Sequence, residues 1–127
     1  MDEVEALLAR AAPRARAADA RAAVALMARV TGEPPAAWGS MIGFGRYQYR
    51  YESGREGETF RVGLAARKDA LALYLPCEGS DSDALVDRLG PVKRGVGCLY
   101  VKRLADIDLA ALEALVAHVH AHPPNAV

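Results

Sequence analysis

The stretch that most constrains the fold runs from Trp38 to Tyr51, WGSMIGFGRYQYRY. From Met41 onward, Ile42, Phe44, Arg46, Gln48 and Arg50 fall on one parity and Gly43, Gly45, Tyr47, Tyr49 and Tyr51 on the other. A period of two belongs to an extended strand, whose successive side chains point to opposite faces, and a helix does not present it. The alternation predicts one long strand with a bend at Gly43 or Gly45, because a glycine inside a strand marks a bend or a close approach. Its tyrosines are expected to turn inward and anchor the strand to helices, leaving Arg46, Gln48 and Arg50 in solvent.

Ahead of this strand the pattern is helical. Asp2 and Glu5 have capping-box spacing, and Val4, Leu7, Leu8 and Ala11 recur with the helical period until Pro13 stops them. A second helix, from about Arg16 to Val30, carries Ala20, Ala23, Val24, Met27 and Val30 on one stripe; Gly32 ends it, and Pro34 and Pro35 force an extended path. Beyond the strand, ESGREGE (Glu52 to Glu58) has no apolar residue and reads as a hairpin loop. Two further strands follow, one through Phe60, Val62 and Leu64, the other with Leu71, Leu73 and Leu75 alternating with Ala70, Ala72 and Tyr74. Ser80 or Ser82 can cap a short helix carrying Leu85, Val86 and Leu89. The loop VKRGVG then leads to a strand from Cys98 to Leu104, and Asp106 caps a last helix through Leu109, Leu112, Val116 and Val119.

The predicted order is α-α-β-β-β-α-β-α. Grouped strands argue for an α+β fold, a mainly antiparallel sheet of about four strands with helices packed on one face. A chain of 127 residues suits one domain, residues 1–127, with its N-terminal helices in 2–31 and its sheet and remaining helices in 38–122. Phe60, Val62, Leu64, Leu71, Leu73, Leu75, Leu99 and Val101 are the expected core side of the sheet. Arg61, Tyr74, Tyr100 and Lys102 stand opposite, joined by Arg46, Gln48 and Arg50.

Charge excludes some functions. Sixteen basic residues balance 16 acidic ones, so no overall field holds a polyanion, which argues against nucleic acid. No apolar run approaches the ~20 residues of a membrane span, and no signal-peptide pattern is present, so the expected setting is the cytoplasm without a membrane partner. Cys77 and Cys98 can pair, but in that setting they are expected to be two buried thiols.

WGSMIGFGRYQYRYESGREGE, followed by VGLAARKDALALYL and CLYVKRLADIDLAALEAL, resembles the YdhG-like family across roughly Val30 to Leu115. The most specific pieces are Trp38-Gly39, Gly43-Phe44-Gly45-Arg46-Tyr47, Ser53-Gly54-Arg55-Glu56-Gly57, Arg67-Lys68 and Cys98-Leu99-Tyr100. The resemblance implies a frataxin-like helix-sheet sandwich with no agreed catalytic activity, and one branch of the family suggests iron handling as an alternative function. An iron site needs clustered carboxylates. Asp2, Glu3, Glu5, Asp19, Asp81, Asp83 and Asp87 are available, but acids in first turns of helices more often serve as caps and dipole partners. Family members usually read GKHKTGKS between the third helix and last strand. Here GPVKRGVG (Gly90 to Gly97) lacks the phosphate-contacting Lys and the Ser, and its helix-loop-strand order is the reverse of a P-loop.

The candidate ligand-binding residues are Arg46, Arg50, Arg61, Tyr74, Tyr100 and Lys102 on the open sheet face, with Lys93 and Arg94 as further anion contacts. Guanidinium forks and aromatic rings on one rigid surface suit a ligand. The same residues also cover an ordinary solvated face. His118 and His122 share a helix face, at an end where the dipole favours histidine anyway. No catalytic residue, metal ligand or cofactor is assigned. The expected function is a small non-catalytic domain that binds a small anion or a protein partner through the sheet, with a homodimer on the same face as one form of that partner.

Overall fold

The computed structural model describes residues 3–9, 14–76, 80–95 and 97–123. Helices α1 (Glu3–Ala9) and α2 (Arg14–Thr31) lead into strands β1 (Pro35–Trp38), β2 (Met41–Phe44), β3 (Tyr47–Arg50), β4 (Glu56–Thr59), β5 (Val62–Ala66) and β6 (Leu71–Tyr74). Helix α3 (Ser80–Asp87), strands β7 (Lys93–Gly95) and β8 (Cys98–Val101), a 3-10 turn (Leu104–Asp106) and helix α4 (Leu109–Ala121) complete the order. The fold class is α+β, and every strand pairing is antiparallel.

The alternating stretch is one arm of a long bent hairpin. Phe44 stands opposite Val62 and Tyr47 opposite Thr59, so a single register runs through the β2–β5 and β3–β4 ladders with no residue inserted. The ladder breaks at Gly45, which has φ +72 and whose missing Cβ leaves room for the Glu33 carboxylate. That is the left-handed region, where a side chain is strained. Beyond the break, β3 and β4 form a separate two-stranded arm.

The main sheet has six strands in the order β1-β2-β5-β6-β8-β7, not about four. Both extra strands are edges, whose sequences lack apolar alternation. At β1 a proline stands first, where its absent N–H costs no ladder bond. In β7 the run Lys-Arg-Gly is short and fully exposed, as edge strands commonly are. The predicted VKRGVG loop is therefore partly strand, and its hairpin closes next to Gly97 at φ +70.

Ile42, Phe44, Val62, Leu64, Leu71, Leu73, Leu99 and Val101 form one continuous core with residues of all four helices. The small Ala20 and Ala23 of α2 are buried in it beside Met27 and Leu26, which lets the helix approach the sheet closely. Each fully buried Leu or Phe here is worth roughly 1.5–3 kcal/mol. Asp108, rather than Asp106, caps α4: its Oδ1 accepts from the Ala111 amide at 3.1 Å, while Asp106 ends the 3-10 turn. No helix among the described residues is long and apolar enough to cross a membrane. Cys77 lies outside the described residues, and Cys98 is a buried free thiol.

Two expectations about side-chain direction fail at the break in the hairpin. Phe60 was expected on the core side with Val62, but the bend at Arg61 turns its ring to the opposite face. There it covers the paired Gly43 and Gly63, where a Cβ would fall 2.6 Å from it in either case. Tyr47, Tyr49 and Tyr51 were expected to anchor the strand to helices, yet they line one side of the outlying arm. Tyr49 contacts both neighbouring rings, at 6.5 and 5.1 Å between centroids, and Tyr51 is 44% exposed.

Candidate functional site

The face of the main sheet away from the helices carries small side chains under a row of rings. Trp38 meets Phe60 edge to face at 5.8 Å, and Phe60 meets Tyr74 at 6.2 Å. Arg67 ties the middle of the row down, donating from Nη2 to the Tyr74 hydroxyl at 2.9 Å and from Nη1 to Ser40 Oγ at 3.1 Å. At Ala70, just ahead of β6, and Ala72 within it, the side chains are small and the surface dips. Tyr100 pairs with Ala72 on one side and with Lys93 on the other, so a tyrosine and a lysine rise beside an alanine floor.

That dip is an open cleft of about 660 Å³ lined by Asp69, Ala70, Pro91, Val92, Lys93, Tyr100 and Lys102. Its volume lies within the roughly 300–1,000 Å³ of small-molecule sites. It gathers two of the chain's three lysines. Among the described residues no carboxylate forms an ion pair with either of them. Tyr100 is 37% exposed, and its phenol is held above the ordinary tyrosine range, first by its hydrogen bond with Cys98 and next by the repulsion between a phenolate and the Cys98 sulfur in its anionic form. It therefore presents a neutral ring and hydroxyl at physiological pH.

Helix α2 holds both loops that bring charge to the cleft. Arg16 Nη1 donates to the carbonyls of Arg67 at 3.2 Å and Lys68 at 2.7 Å, which pins the turn carrying Asp69. Asp19 Oδ2 accepts from the Leu104 amide at 3.1 Å, just beyond Lys102.

The eight sequence candidates do not form one surface. Lys93, Tyr100 and Lys102 converge on the cleft. Tyr74 stands on the same sheet face, its hydroxyl taken by Arg67. Arg50 lies out on the arm and pairs with Glu56 at 2.7 Å. Arg46 pairs with Glu58 at 3.3 Å and places its guanidinium over the Trp38 ring, 5.4 Å from the centroid. Arg94 is turned to Asp83 at 2.9 Å. Arg61, expected beside Tyr74, instead donates to the carbonyl of His120 at 2.8 Å and so satisfies the C-terminal end of α4. The bend that turned Phe60 outward turned Arg61 toward the helices.

A second cleft, of about 640 Å³, opens at the break of the hairpin between Glu33, Trp38, Gly45, Arg46, Arg61 and His120. Its cations are committed to partners, and His120 Nε2 lies 3.4 Å from Glu33 Oε2. His118 and His122 stack on each other with centroids 4.6 Å apart, and His122 Nδ1 bonds the His118 carbonyl at 2.8 Å. Among the described residues no group of three or more His, Cys, Asp or Glu side chains is placed to hold a metal ion.

Asp69, Ala70, Pro91 and Val92 were missed as lining residues. The alternation Ala70, Ala72, Tyr74 does carry a signal, small next to large on one strand face. The contribution of Pro91 and Val92 depends on β7, which its sequence does not announce. Comparison with protein-family models, curated proteins and solved structures gave no match.

Proposed function

We propose that this chain is a binding domain that takes a small organic anion in the cleft between Lys93, Tyr100 and Lys102. The observation that carries the reading is the convergence of Lys93, Tyr100 and Lys102 on one cleft beside Ala70 and Val92, where no carboxylate among the described residues forms an ion pair with either lysine. The lysines supply charge and hydrogen-bond donors, and the Tyr100 ring supplies a flat apolar wall. The YdhG-like resemblance remains the proposed family on its signature residues, and the layering of helices on one sheet face supports it. Iron handling, the alternative, draws no support from the arrangement of acids among the described residues.

Calorimetric titration with benzoate tests the reading. A fragment of this size is expected to bind with a Kd on the order of 1 mM. Replacing both lysines, Lys93→Gln with Lys102→Gln, is expected to weaken binding at least about tenfold. An affinity unchanged in the double variant overturns the assignment of the site.

A further inference from the structure

We infer that the cleft selects a singly charged carboxylate with an apolar body over a phosphate ester. This rests on the reading of the cleft as an anion site and concerns which anion fits it. Asp69 lies on the rim with Lys93 and Lys102, so the formal charge of the site is one positive unit, two ammonium groups less one carboxylate. Attraction to that charge grows in proportion to the charge of the ligand, whereas the cost of stripping water from the ligand grows roughly with its square. A low-charge site with apolar walls therefore takes a monoanion at less cost than a dianion. A phosphate monoester carries nearly two charges at neutral pH.

The donor set points the same way. Phosphate is typically held by guanidinium forks, by backbone amides in a nest or by a helix N-terminus. No arginine lines the cleft, and two nearby ones are engaged elsewhere, Arg67 with Tyr74 and Ser40, and Arg94 with Asp83. Lysine offers a point charge on a long apolar stem, which can lie along a hydrocarbon ligand while its tip meets one carboxylate. Ala70 and Val92 supply a floor and wall without hydrogen-bonding side chains. Asp69 also gives a ligand hydroxyl or ammonium group an acceptor, so a hydroxylated or amino-bearing carboxylate fits better than a plain one.

The test compares benzoate with phenyl phosphate at pH 7.5, which share a ring and differ in the head group. Binding is followed by backbone amide shifts on the full chain. Benzoate is expected to bind about threefold or more tightly, with shifts at the amides of Lys93, Tyr100 and Lys102. Asp69→Asn is expected to narrow or reverse that ratio by helping phenyl phosphate more than benzoate. If phenyl phosphate binds the unaltered protein as tightly as benzoate at these residues, the carboxylate preference is overturned while the anion site stands. If Asp69→Asn leaves the ratio unchanged, the electrostatic basis of the preference is wrong. If neither compound shifts these amides, the anion site itself falls.

Discussion

Gly45 determines more of the surface than any of the charged residues that first draw attention. Its positive φ breaks the hairpin, and the break sends Phe60 to the open face and Arg61 to the helices. Gly45→Ala is expected to cost about 1–2 kcal/mol from the left-handed backbone alone, and more if the Glu33 carboxylate cannot swing away. The urea midpoint measures this directly. Gly63→Ala acts differently, by collision with the Phe60 ring and the Ile42 carbonyl, and is expected to cost roughly 1–3 kcal/mol by overpacking. The alternation from Met41 placed the bend at one of two glycines. It could not foresee that parity would reverse across the bend on the opposite strand, because Arg61 and Phe60 look regular in sequence. Tyr47 shows the same limit: its phenol is pushed up mainly by burial and then by Tyr51, while Arg61, turned by the bend, pulls the other way.

Among the elements, the arm and β7 divide the sequence candidates into bystanders and site residues. Arg50 on β3 pairs with Glu56 opposite it on β4, and Arg46, just ahead of β3, reaches Glu58; exposed pairs of this kind contribute about 0–1 kcal/mol. Arg50→Ala is expected to leave benzoate affinity unchanged and to move stability by less than about 0.5 kcal/mol. If Arg50→Ala weakens binding, the arm takes part in the site. Helix α4 depends on Asp108 at its N-terminus, so Asp108→Ala is expected to cost about 1 kcal/mol, while Asp106→Ala leaves the cap intact. Long apolar alternation made β2, β5, β6 and β8 readable, because burying one face imposes the pattern. Strands β1 and β7 bury little and escaped it. The cleft was half visible for that reason: Tyr100 and Lys102 come from a readable strand, while Lys93 takes its place only through pairing with Tyr100.

The molecule as a whole is a six-stranded sheet with one face committed to helices and the other covered by rings, small residues and a few cations. Tyr47 and Tyr100 both have raised pKa values, so the folded chain holds their protons more tightly than the unfolded one does. Their contribution is complete below the unfolded tyrosine value of about 10 and is lost as pH rises through the folded values. Stability is therefore expected to fall on that alkaline limb, and Tyr47→Phe to flatten it, read from urea midpoints across the limb. An alkaline limb unchanged in that variant contradicts the burial assigned to Tyr47. On the open face, the geometry brings Lys93 and Lys102 to one cleft at one end, beside Ala70. Mapping amide shifts of the intact chain during a benzoate titration tests this most directly. The shifts are expected to cluster at residues 69–72, 91–95 and 98–102; shifts centred instead on Trp38 and His120, on the β3–β4 arm, or nowhere on the sheet would contradict it.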